Sequence, residues 1–233
     1  MRTLVGAAVV AVLLVACAPH RPATVADAES VLAARGAAAQ YANVPRTIAE
    51  ALPSTRYVSA VGGMEGRASD LVVTGRFTAW TPDKAMVWPA GTGGDNGRQV
   101  AWDSKRAQTR TLDLTFDVDS VVAAAAGVTA DHQVQVRFGL DGRTSPGSFA
   151  NGLISGGRMV LFLQPPSDPT AKGVWAVPFD GLLLGTVDDA DVVTMGVLDA
   201  EPDFADLAAS THGITLADLE AAGHVSRTVT FGG

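Results

Sequence analysis

Leu112, Leu114, Phe116 and Val118 alternate with Asp113, Thr115, Asp117 and Asp119 through the stretch from Thr109 to Val122. In an extended chain successive side chains point to opposite faces, so this pattern predicts a strand with one buried and one wet face. HQVQVRFGL, residues 132 to 140, repeats the alternation with Val134, Val136 and Phe138. SDLVVTGRFTAW, residues 69 to 80, is half continuous and half alternating, and also predicts a strand. RMVLFLQ, residues 158 to 164, is an apolar run suited to a central strand covered on both faces. KGVWAVPF and LLLGTVDDADVVTMGVL then read as a terminal meander with Asp188 to Asp191 at a hairpin turn. Strands at short spacing between glycine-rich turns predict a mainly β domain, either an antiparallel barrel or a sandwich.

The ends of the chain follow another rhythm. Ala18 to about Gln40 begins with prolines and continues alanine-rich, with Thr24-x-x-Asp27 as a capping-box signal for a short helix. Few apolar residues interrupt it, so it reads as a partly ordered stalk. Tyr41 to Leu52 predicts a short helix after Pro45. EPDFADLAAS and THGITLADLEAAGH predict two helical pieces, with Thr215 as an N-cap and Gly223 as a stop.

Met1-Arg2-Thr3 is a basic start, and Leu4 to Val15 is an apolar run too short to span a bilayer comfortably. Together they read as a secretory signal peptide. Leu14-Val15-Ala16-Cys17 resembles the lipobox of bacterial lipoproteins. The resemblance implies diacylglyceryl transfer to the Cys17 sulfur, cleavage before it and a mature chain anchored to the cell membrane at its extracytoplasmic face. Two acyl chains suffice for stable anchoring, where one holds only marginally. Cys17 is the single cysteine, so no intramolecular disulfide is available and the domain must rely on its core. The organisation expected is a signal peptide over 1–16, a lipidated tether over 17–40 and one β-rich domain over 41–233, helical from about residue 201.

The order SDLVVTGRFTAW, TLDLTFDVDSVV, VQVRFGL, GGRMVLFLQ and GVWAVPFDGLLLGTVDDADVV resembles exported proteins with an OB-like barrel, similar in layout to netrin-like and metalloproteinase-inhibitor domains. It covers about half the chain and implies an OB-like barrel or sandwich. The cysteine pairs of netrin-like domains are absent, and an acylated Cys17 on a stalk cannot serve as the metal-contacting N-terminus of those inhibitors. The resemblance therefore implies a fold and no active site.

Charge narrows the partners. The chain is 47% hydrophobic and 18% charged, with a formal net charge of -7. Such a balance gives no general attraction to phosphate backbones, so nucleic acid is not an expected partner. Between Gly173 and Ser226 there are ten carboxylates and no lysine or arginine, a solvated acidic flank.

The chemical motifs are sparse. There is no Gly-x-Ser-x-Gly elbow, and GTGGDNG, residues 91 to 97, lacks the Gly-Lys-Ser/Thr ending of a phosphate-binding loop. No motif calls for a cofactor. His20, His132, His212 and His224 have no second histidine at helical spacing, so a zinc site would need distant residues. Asp188, Asp189 and Asp191 could offer oxygens to calcium, but the spacing is not that of an EF-hand and a turn explains them. Asp113, Asp117 and Asp119 share one strand face, which suits a solvated surface or, less simply, acid–base work.

Trp88, Arg98 and Trp102 fall between the first two confident strands, and such residue types favour binding surfaces. They are the candidate contact patch, with burial of the rings in the core as the alternative. The function expected is a lipid-anchored, non-catalytic binding module for an envelope protein or a small molecule. An extracytoplasmic hydrolase with scattered residues and a passive envelope component are the alternatives.

Overall fold

The computed structural model describes residues 23–33, 44–59, 65–88, 97–166, 171, 173–199, 201 and 204–231. Residues 1–16, read as a signal peptide, together with Cys17, His20 and residues 91–96 of the glycine-rich stretch, lie outside these. In chain order the elements are α1 (Val25–Ala33), α2 (Ile48–Ala51), β1 (Thr55–Ser59), β2 (Glu65–Gly66), β3 (Leu71–Val87), β4 (Arg98–Val100), β5 (Thr109–Ala124) and β6 (Gln133–Asp141). They continue with α3 (Pro146–Ser155), β7 (Met159–Leu163), β8 (Val174–Ala176), α4 (Pro178–Gly181), β9 (Leu184–Val187) and β10 (Val193–Thr194). Helices α5 (Gly196–Asp199), α6 (Ala205–Ala209) and α7 (Leu216–Gly223) and strand β11 (Arg227–Phe231) complete the chain. The protein is mainly β, as the alternation predicts.

The larger sheet runs β10-β9-β7-β3-β5-β6-β8, with β4 beside the end of β3. β3, β5 and β6 form an antiparallel meander; β7 joins β3 antiparallel and β8 joins β6 in parallel. α3 fills the crossover from β6 to β7. A bridge between Gln164 and Ala176, with two hydrogen bonds of 2.9 Å, brings β8 back toward the end of β7. This five-strand order is OB-like, and it is left partly open. One bridge stands where a closed barrel would have a ladder, so of the two expected architectures the closed barrel is not formed. The curl itself comes from β3, whose register against β5 slips four times. One slip lies at Gly75, where a Cβ would sit 1.9 Å from the Asp117 carbonyl oxygen, so only glycine lets the two backbones approach.

Sequence order explains the core. The apolar run of β7 is buried along its whole length, as a strand covered on both faces requires. The inward set of β5, Leu112, Leu114 and Phe116, meets Val134, Val136 and Phe138 of β6. Edge-on aromatic contacts run from Phe116 to Phe77 at 4.9 Å, to Phe138 at 6.1 Å and on to Phe149 of α3 at 5.4 Å. α3 thus plugs the curled sheet, started by a Ser145 N-cap and Pro146 in its first turn.

Three features differ from expectation. The Thr24–Asp27 capping box forms, but the helix it starts is built into the domain: Ala28 and Leu32 are fully buried and α1 packs on α3 and α5. Residues 25–33 are therefore not a stalk. The helical C-terminal region, with a full Thr215–Asp218 capping box on α7, ends in a strand, β11, which pairs in parallel with β1. Finally, α2 starts after a Thr47 N-cap, so Pro45 lies outside it.

Candidate binding site

The outward face of β5 and β6 is a ladder of polar cross-strand pairs: Asp113 opposite Arg137, Thr115 opposite Gln135 and Asp117 opposite Gln133. Arg137 donates Nε to Asp113 Oδ1 at 2.7 Å and Nη2 to Oδ2 at 2.8 Å, a two-pronged grip. Asp83 of β3 stands 3.4 Å from the same guanidinium. The Arg137 and Asp113 side chains are only 17% and 16% exposed, so each relies on the other for its missing hydration. Gln135 donates to Thr115 at 3.1 Å and Gln133 to Asp117 at 2.8 Å. Polar groups along this face are answered from within the chain.

Beside this ladder, β8 stops pairing with β6 at Ala176, and Pro178 has no N–H to extend it. A cleft of about 260 Å³ opens there, lined by Lys84, Thr111, Arg137, Phe138, Pro166 and Asp180 among others. Its wall includes α4, a left-handed turn with φ 52° at Phe179 and 57° at Asp180. Such backbone is strained in residues with a side chain.

The neighbouring end of the sheet is built differently. The last residues of β3 lie between β5 and β4, and the 101–108 loop runs over that edge. Arg110 donates Nε to the Trp102 carbonyl at 3.0 Å, Nη2 to Ser104 at 2.9 Å and Nη1 to Gly142 at 2.7 Å. Gln108 adds a second clasp. Its N–H donates to the Met86 carbonyl at 2.8 Å, its carbonyl accepts from Gly142 at 2.7 Å, and its side chain accepts from the Trp88 N–H at 2.7 Å. A Cβ on residue 142 would lie 1.9 Å from the Ala107 carbonyl oxygen, so glycine is required for loop and turn to touch.

The clasped segments frame a wide, open cleft of about 490 Å³, lined by Lys105, Arg106, Ala107, Gln108, Asp141, Gly142 and Arg143. Lys105, Arg106 and Arg143 are exposed, and among the described residues their charged groups form no ion pair or hydrogen bond. Asp141 is the one carboxylate lining it, and its Oδ1 accepts from the N–H groups of Arg143 at 2.6 Å and Thr144 at 2.9 Å. Burial alone would raise the Asp141 carboxyl. The two N–H groups, the Thr144 hydroxyl and the Arg143 charge outweigh that and hold it below the usual carboxylate range.

The structure brings Trp88, Arg98 and Trp102 to this same end of the sheet and gives them different settings. Trp88 is half-buried, its indole over Gly97 and Met86. Arg98 is exposed on β4. Trp102 is half-buried and packs against the core, as the alternative reading of the tryptophans has it. Lys105, Arg106, Arg110, Arg137 and Arg143 carry the electrostatics of the region and were not singled out by sequence reasoning. The adjacent pair Lys105-Arg106 and the Asp141-Gly142 turn were the available signals.

The other sequence candidates lie elsewhere. Asp188 Oδ1 accepts from Ala190 and Val192, both at 2.9 Å, and closes the β9–β10 turn. Asp191 has φ 61° and pairs with Arg158, while Asp189 is exposed. His212 faces Asp199 at 3.4 Å, His224 caps α7 and His132 is exposed. Near Asp199, burial first and the Asp199 charge second push the Glu29 carboxyl up. Among the described residues no group of three His, Cys, Asp or Glu side chains could hold a metal ion. No helix among them is long and apolar enough to cross a membrane. Compared with protein-family models, characterised proteins and solved structures, the chain matches none.

Proposed function

We propose that the chain is a lipid-anchored envelope protein whose β domain is a binding module and not a catalyst. The anchor is supported by the sequence from Met1 to Cys17 alone. The observation that carries the binding reading is the hydrogen-bonded end of the sheet. There Arg110 and Gln108 clasp three chain segments beside the half-buried Trp88, the exposed Arg98 and the basic cleft. A surface ordered before its partner arrives loses less freedom on binding. The smaller cleft suits catalysis less well, because the Arg137 guanidinium is engaged by Asp113 and Asp83.

Two measurements test the halves separately. A fatty-acid probe fed to cells should label the full chain and leave Cys17→Ala unlabelled; equal labelling of both removes the anchor. Cross-linking in the native envelope should capture a component with the wild type that Trp88→Ala/Arg98→Ala loses while remaining folded. Equal capture by both proteins would remove this end of the sheet as the contact surface.

A further inference from the structure

We propose that the cleft between the 101–108 loop and the 141–143 turn binds a phosphate-bearing anion. The inference deepens the binding-module reading and rests on it. Lys105 and Arg106 come from one side and Arg143 from the other, so the clasp through Gly142 is what gathers them. Elsewhere in the fold Arg110 and Arg227 donate to carbonyls and Arg137 and Arg158 pair with aspartates, while Arg76 and Arg98 are exposed singly on strands. Among the described residues the charged groups of Lys105, Arg106 and Arg143 make no ion pair or hydrogen bond, and the three share one cleft in a chain whose formal net charge is -7.

The acidic residue within the cleft offsets them only in part, since of the three charges only that of Arg143 acts on its carboxyl. Asp141 turns its oxygen toward two backbone N–H groups, which share its charge. Two guanidinium forks and one ammonium, from two separate segments, suit the several oxygens of a phosphate better than the single plane of a carboxylate. The cleft is open to solvent, which fits an exposed headgroup or phosphoryl group. A nucleic-acid strand would need a longer basic track, whereas residues 173–226 offer ten carboxylates and no cation. The phosphate can belong to a soluble compound or to an anionic phospholipid, and the chemistry of recognition is shared.

The test uses the isotope-labelled full chain in uncharged detergent micelles, followed by its amide NMR signals. One arm adds inorganic phosphate against chloride at equal ionic strength. The other dopes the micelles with phosphatidylglycerol against phosphatidylcholine. Saturable shifts at residues 105–108 and 141–144 are expected, with affinity at least tenfold weaker in Lys105→Ala/Arg106→Ala/Arg143→Ala and only partly weakened in Arg106→Lys/Arg143→Lys. Response to phosphate alone assigns a soluble ligand, response to phosphatidylglycerol alone assigns a lipid headgroup, and response to both assigns the phosphate group itself; each supports the site. No shifts in either arm, or equal shifts in the triple variant, overturn it. If partner capture still depends on Trp88 and Arg98 when these arms fail, only this inference falls. Loss of both removes the binding reading as well.

Discussion

Arg137 and Arg143 stand close together in the sequence, one on β6 and one in the turn after it, and the protein treats their charges in opposite ways. Arg137 lies in a half-buried ladder where Asp113 grips it with two bonds and Asp83 stands behind. Arg143 lies in an open cleft with Lys105 and Arg106, where among the described residues no side chain bonds to the charged group of any of the three. A charge removed from water and answered by the chain is part of the fold, because either partner left alone is a desolvated ion. A charge left in water adds little to stability whether it is paired or not. The two regions therefore separate residues that hold the domain from residues available to something outside it.

The largest effect expected is at the ladder. Arg137→Leu leaves Asp113 without its counter-charge and should cost about 3 kcal/mol in a denaturant titration. Arg137→Leu/Asp113→Leu should recover most of that, since both charges then go together. A single-variant loss under about 0.5 kcal/mol would place Arg137 with the solvated surface charges and break the contrast. Arg110→Met comes next. It strips the Trp102, Ser104 and Gly142 carbonyls of one donor each, at a cost of about 2 kcal/mol. Faster amide exchange should be confined to the loop around residues 102–108; uniform acceleration would mean that Arg110 supports the whole domain and not the clasp. In the basic cleft, Lys105→Ala/Arg106→Ala/Arg143→Ala should change stability by no more than about 0.5 kcal/mol. A clear loss there would make these cations structural and remove the distinction from the other side.

Much of the ladder was legible in the sequence and almost none of the cleft was. Alternation over Thr109–Val122 and residues 132–140 places Asp113 and Arg137 on one wet face of neighbouring strands, because period two is a local rule. The register that sets them opposite one another is settled by which apolar set must be buried. The cleft depends instead on contacts between distant segments, above all the Arg110 guanidinium and the Gly142 backbone, and no spacing along the chain announces them. β11 was missed for a related reason. Val229 and Phe231 alternate with Thr228 and Thr230, but a strand this short is called into being by β1, far away in sequence. Helix α1 was misjudged as a stalk because its buried face is only Ala28 and Leu32. Small residues carry a weak periodic signal, yet Ala28 lies close over Gly152 of α3, and Val25 lies over Gly156 just after that helix.

The smallest effect is also the sharpest on the cleft, since it reads one carboxyl. Asp141 is held below the usual range chiefly by the Arg143 and Thr144 N–H groups, which outweigh the opposing effect of its burial. A carboxyl lowered in the folded state adds stability above its unfolded value, about pH 4. That contribution is lost as the pH falls through the folded value, so Asp141→Asn should lower stability slightly at neutral pH, leave it unchanged at the acid end and flatten a small part of the acid limb between. The direct measurement is the Asp141 side-chain carbon signal followed through an acid titration. Without ligand its midpoint should fall below that of an exposed aspartate. With phosphate present it should move up, because an anion seated beside Arg143 opposes a second negative charge. A midpoint indifferent to phosphate would mean that the anion is not in this cleft, and Arg143 would then be one more solvated charge at the end of a sheet.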